Sequence, residues 1–142
     1  MEKLFLFRHA EYGDGYNDSL TFRGREQARR LASLIKENLI NFSDESISIW
    51  TSPSNRAKET ALIIKERFLN VEVVEYRELW SDGYCDLTWL KEQVNKFDRE
   101  VLIIVSHAEY LENFPQEIGF SRNYYRCGEG VLIENKKCIY FR

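Results

Sequence analysis

Short apolar runs alternate along the chain with longer stretches whose apolar residues recur at helical spacing. The runs KLFLF (3–7), SISIWT (46–51), VEVV (71–74) and EVLIIVS (100–106) read as strands, the last most strongly because it is almost continuously apolar and β-branched. Leu31, Leu34, Ile35 and Leu39 mark one face of a helix entered through Thr21 as N-cap, although Gly24 weakens its first turn. Pro53 suits the start of a second helix with Ala57, Ala61, Ile64 and Phe68 as its apolar face. Leu87, Leu90, Val94 and Phe97 predict a third helix over 87–97, and 108–118 a short fourth. The segment GVLIENKKCIYF (130–141) reads as a hairpin turning near Asn135-Lys136. This alternation predicts an α/β three-layer sandwich. A mostly parallel central sheet carries helices on both faces, and the C-terminal hairpin adds an antiparallel edge.

Composition adds limits. With 142 residues, two prolines and no low-complexity run, the chain is expected to form one domain over residues 1–142. A hydrophobic fraction of 44% fills a core, and 30% charge with a net of −3 argues against both disorder and a nucleic-acid footprint. Cys85, Cys127 and Cys138 have neither zinc spacing nor an even count, so reduced thiols are expected. The apolar stretch Leu4–Phe7 before Arg8 is too short for a signal peptide, and no run reaches the roughly 18 residues of a membrane span. A cytoplasmic protein with no membrane or nucleic-acid partner is expected.

The tetrapeptide His-Ala-Glu-Tyr occurs twice, at 9–12 and 107–110, and contains both histidines of the chain. The flanks do not align over a repeat length, so duplication of a structural unit is rejected. Arg8-His9 directly follows the first strand, Thr51-Ser52 the second, and Ser106-His107 the strongest. Ligands of open α/β sheets bind at the carboxyl ends of the strands, so both histidines fall at the binding edge. If their strands are neighbours, they form two halves of one site. Arg8 and Arg56 add planar, permanently charged forks that match phosphate oxygens. Arg56 also lies near the start of a helix, where backbone donors favour anions. Two arginines and two histidines suit a phosphoryl group.

Together these residues resemble the histidine phosphatase superfamily, the phosphoglycerate-mutase-like group. FRHA (7–10) is similar to its Arg-His-Gly element, LTFRGREQA (20–28) to its Leu-Thr-x-x-Gly-x-x-Gln-Ala, and SPSNRAKET (52–60) to its Ser-Pro-x-x-Arg-Ala-x-x-Thr. The second histidine after a buried strand is IIVSHAEYL (103–111). The motifs stand in the family's order over most of the chain, and the compact length most resembles the short single-domain phosphohistidine phosphatases. The resemblance implies that His9 is the nucleophile and forms a phosphohistidine. It implies that Arg8, Arg56 and His107 hold the phosphoryl oxygens, that no metal or organic cofactor takes part, and that the substrate is a phosphorylated small molecule or phosphoprotein.

Departures from the pattern mark open points. Ala10 replaces the usual Gly. The phosphate-binding Asn expected after the first motif is Gly15 at the nominal spacing, with Asn17 as the candidate two residues on. The proton donor falls in EYRELWSDGYCDL, where Asp82 lies nearest the expected place and Glu78 is the next option. Arg122, Tyr124, Tyr125 and Arg126 precede the hairpin and could rim the site, although a packed aromatic loop is the plainer reading. Glu11 and Glu109 could orient the imidazoles. Two other functions fit the residues: a metal-dependent hydrolase using His9 and His107, and a catalytically inactive phosphate-binding or protein-interaction domain.

Overall fold

The computed structural model describes residues 1–13, 17–80 and 85–142. Six strands form one sheet: β1 (Lys3–Arg8), β2 (Ile47–Thr51), β3 (Glu72–Glu75), β4 (Val101–Ser106), β5 (Gly130–Glu134) and β6 (Lys137–Phe141). Their order is β3-β2-β4-β1-β5-β6. The first four positions are parallel, while β5 runs antiparallel to β1 and β6 to β5. Four helices join them: α1 (Phe22–Glu37), α2 (Asn55–Lys65), α3 (Leu87–Lys96) and α4 (Ala108–Glu117). The sandwich expected from the alternation is the fold observed. None of the helices among the described residues is long and apolar enough to cross a membrane.

The pleat of the sheet divides the core into two layers. Phe5, Phe7, Ile49 and Ile103 point to one face, where Leu31 and Ile35 of α1 and Ala61 and Ile64 of α2 cover them. Leu4, Leu6, Leu102 and Ile104 point to the other, beneath Leu90 of α3 and Tyr110, Leu111 and Phe114 of α4. β4 lies between β1 and β2 and is buried at every position, which explains its unbroken apolar sequence. The β5–β6 turn places Asn135 and Lys136 at φ of 46° and 61°, the left-handed pair of a two-residue hairpin.

Boundaries differ in small, physical ways. Pro53 does not open α2. Ser54 is its N-cap, accepting a hydrogen bond from the Ala57 N–H, and Pro53 precedes the cap. Leu39 and Phe68 lie past the ends of α1 and α2 yet are buried, so their helical spacing reports packing rather than helix length. Thr21 caps α1 as expected, its hydroxyl accepting from the Gly24 N–H at 3.0 Å.

Gly24 in that first turn is required by a close approach. A Cβ there would stand 1.9 Å from the Glu11 carbonyl oxygen, because the chain after β1 passes directly over the helix. Alanine would gain about 1 kcal/mol of helix propensity. The overlap is with backbone, however, and overpacking of this kind costs about 1–3 kcal/mol or more. Gly24→Ala is therefore expected to lower the urea midpoint of unfolding, against the propensity scale.

Candidate active site

Register brings the site together. β1 and β4 are parallel neighbours with Arg8 opposite Ser106, so His9 and His107 both emerge one residue beyond the last pair. The His9 N–H donates to the Ser106 carbonyl at 3.0 Å, and the Ser52 N–H at the end of β2 donates to the Val105 carbonyl at 3.1 Å. The two imidazoles face each other edge to face with centroids 5.2 Å apart. Both are nearly sealed from solvent, at 3% and 4% exposure.

Hydrogen bonds select one neutral tautomer of His9. Its Nδ1–H donates to the Ala10 carbonyl at 3.0 Å, because a carbonyl can only accept. That leaves a lone pair on Nε2, toward which the Arg56 Nε–H donates at 3.2 Å. The Nε2 of His107 meets the Ser52 hydroxyl at 2.9 Å. Ser52 contacts the Ser54 hydroxyl in turn and accepts from the Ser54 N–H at 3.2 Å, tying His107 to the N-terminus of α2. His107 is itself the N-cap residue of α4, so the positive end of that helix dipole also faces the site.

Burial drives the His9 pKa down from 6.5 to about 4. The Ala10 carbonyl opposes the shift, the Arg56 and Arg8 charges add to it, and Asp18 weakly opposes it. Burial likewise takes His107 down to about 3, with His9, Arg56 and Arg8 acting in the same direction. Both rings are therefore neutral at ordinary pH, and the Nε2 lone pair of His9 accepts from Arg56 rather than carrying a proton.

Two guanidinium groups frame the pair. Arg8 donates from Nη1 to the Tyr125 carbonyl at 2.8 Å. Its Nε is buried and has no hydrogen-bond partner among the described residues, an orphan donor beside the histidines. Arg56 pairs through Nη1 with the Asp18 carboxylate and lies 4.7 Å above the Tyr12 ring, whose edge also meets His9. The site thus combines a neutral imidazole, an unsatisfied donor and two fixed cations at a sheet edge.

The remaining candidates are distributed as follows. Ala10 is fully buried with Leu20 and Ala28, and its N–H donates to Thr60 at 3.0 Å, so its methyl group packs in a small apolar cluster. The exposed Asn17 accepts from the Ser19 hydroxyl through its side chain and lines a cleft with Asp18, Pro53, Ser54, Asn55 and Trp80. Asp82 and Gly15 lie outside the described residues. Glu78 is exposed, and its backbone carbonyl accepts from the Tyr110 hydroxyl. Glu11 does not orient an imidazole: its carboxylate accepts from Thr21 and pairs with Arg23. Glu109 lies in the first turn of α4. Tyr125 reaches the site through its carbonyl, whereas Arg122 pairs with Glu112 and lies against Tyr124, and the exposed Arg126 is held through its N–H by Glu129. Among the described residues no group of three or more His, Cys, Asp or Glu could hold a metal ion.

Tyr12, Asp18 and Thr60 were not expected at the site, and Ser52 was placed at the binding edge but given no role there. Ser52 and Thr60 stand within SPSNRAKET, so the motif carried a signal for them. Tyr12 and Asp18 reach it only through the return of the loop after β1.

The sequence profile of the histidine phosphatase superfamily (branch 1) matches residues 4–81. The chain belongs to that superfamily. No curated protein sequence matches it. Among solved structures, the protein histidine phosphatase SixA complexed with tungstate superposes with a TM-score of 0.76 at 17% identity, covering 99% of this chain and 94% of that one. Phosphoglycerate mutase from Plasmodium falciparum does so at 0.68 and 19%, covering 99% and 88%. A mycobacterial glucosyl-3-phosphoglycerate phosphatase does so at 0.67 and 12%, covering 92% and 89%. At these identities the likeness is one of fold. Membership of the superfamily supports phosphatase activity and a phosphorylated substrate.

The depressed histidines make stability pH-dependent. Their folded values of about 4 and about 3 lie below the unfolded value of 6.5, so the unfolded chain takes up protons first as pH falls. Their contribution is complete above about pH 6.5 and is lost progressively as pH falls through about 4 for His9 and about 3 for His107. The urea midpoint should therefore drop between about pH 7 and about pH 5 in the wild type, and drop less in His9→Gln.

Proposed function

We propose that the protein is a metal-independent phosphatase that works through a covalent phosphohistidine on His9. The observation that carries this reading is the neutral His9, whose Nε2 lone pair is framed by Arg56 and His107 beside the orphan Nε–H of Arg8. The 142 residues act as one domain in this reading, and the substrate is a phosphorylated small molecule or a phosphoprotein.

Nε2 of His9 attacks phosphorus while the bond to the leaving group breaks, its electron pair departing with that group. Arg8 and Arg56 hold the equatorial oxygens, where charge develops, from fixed positions in a dry pocket. A phosphoryl dianion between the cations raises the pKa of His107 and favours its donating, protonated form. Asp82 supplies the proton to the leaving group. Water then gives a proton to the Asp82 carboxylate as it attacks phosphorus, the N–P bond breaks with its electron pair returning to Nε2, and phosphate departs.

A phosphoramidate substrate such as phosphohistidine makes the least demand on Asp82, because its leaving nitrogen is readily protonated and then departs easily. The likeness in fold to a protein histidine phosphatase that binds tungstate, a phosphate-like oxyanion, supports the same direction.

p-Nitrophenyl phosphate hydrolysis by the wild type and His9→Ala, each with and without EDTA, tests the mechanism. Turnover should survive the chelator and vanish in the variant. Loss with EDTA alone would favour a metal-dependent hydrolase, and vanadate binding without turnover of any phosphate ester or phosphoramidate an inactive binding domain. Arg56→Ala should lower kcat/KM by about 2–3 kcal/mol, the worth of a charged hydrogen-bonded contact. Asp82→Asn should slow poor leaving groups more than good ones, and an equal effect on both would remove Asp82 from its role.

A further inference from the structure

Residues 12–13 and 19–20, between β1 and α1, pair with each other, and residues 17 and 20 are fastened to α2. Tyr12 and Leu20 form an isolated antiparallel bridge, and the Gly13 N–H donates to the Ser19 carbonyl at 3.1 Å. The Leu20 N–H donates to the Glu59 carboxylate at 2.7 Å, and the Asn55 amide donates to the Asn17 carbonyl. Between these ties Asp18 adopts φ of 63°, a left-handed conformation that a non-glycine residue holds only when its surroundings impose it. The result is a carboxylate placed on Nη1 of Arg56, with both side chains largely buried at 31% and 19% exposure.

Three contacts then define the pose of Arg56. Asp18 holds Nη1, the Tyr12 ring supports the guanidinium plane from 4.7 Å, and Nε–H points at Nε2 of His9. A long arginine side chain has many rotamers, and a fork aimed at a reacting phosphoryl group is useful only in one of them. We propose that Asp18 is a positioning residue for the phosphatase reaction, locking the Arg56 guanidinium so that its Nε–H faces the attacking nitrogen of His9. This rests on the phosphatase reading for its catalytic consequence, while the lock itself is a property of the protein's own side chains.

The carboxylate also stands close to where a phosphate anion would sit, so it opposes anion binding while it orders the arginine. Removing it therefore separates two quantities. Asp18→Ala should lower kcat by about tenfold through loss of alignment, without weakening vanadate inhibition. Asp18→Asn keeps an oxygen acceptor for Nη1 and should restore most of kcat. Unchanged kcat in Asp18→Ala overturns the proposal. So does parallel loss of kcat and vanadate affinity with no recovery in Asp18→Asn, which is the mark of a merely structural residue.

Hydrogen exchange of the Arg56 Nε–H, followed by NMR in the ligand-free protein, reads the lock without reference to activity. It should be slow in the wild type and Asp18→Asn and fast in Asp18→Ala. Equal exchange in all three overturns the proposal whatever the kinetics. A wild type with a slow Arg56 Nε–H but no turnover would instead sink the phosphatase reading and leave the lock standing.

Discussion

The parallel pairing of β1 with β4 is the constraint on which the rest of this molecule depends. Their register sets Arg8 opposite Ser106 and releases His9 and His107 side by side from the same edge. A slip of one residue would exchange the two faces of β1, sending Phe5 and Phe7 toward α3 and α4 and turning the chain after it away from β4. The register is held because both faces are buried. Each alternate side chain has a specific apolar layer to enter, and neither layer tolerates the other's residues without voids or overlap.

Sealing the histidines beneath this edge has an electrostatic consequence. Two neutral rings can occupy a dry pocket at little cost, while a proton on either must be desolvated beside two guanidinium groups. Each cation has a fixed acceptor. Arg8 has the Tyr125 carbonyl and Arg56 the Asp18 carboxylate. The orphan Nε of Arg8 is the exception, and such an exception at a binding edge fits a ligand oxygen better than it fits a packing fault.

The surrounding chain is organised to hold these groups still. Gly128, at φ of 77°, turns the segment before β5 so that its N–H reaches the His9 carbonyl at 2.9 Å. Thr60 fixes the backbone of Ala10 from α2, and Gly24 lets α1 approach the chain after β1 closely. The segment 121–126, rich in tyrosine and arginine, contributes a backbone carbonyl to the site, while its side chains serve packing and surface pairing.

The sequence by itself determined the strand and helix order, the hairpin turn and the location of both histidines at strand ends. These follow from periodicity and from residues adjacent along the chain, which local physics decides. Arg8, His9, Arg56 and His107 were legible as one group because each directly follows a strand or opens a helix. The tertiary structure alone decided that β1 and β4 are neighbours, that Ser52 meets His107, and that Tyr12 and Asp18 complete the setting. Asp18 meets Arg56 across 38 positions, and Ser52 meets His107 across 55. No local pattern encodes such pairs, because they form only when packing has closed the intervening chain.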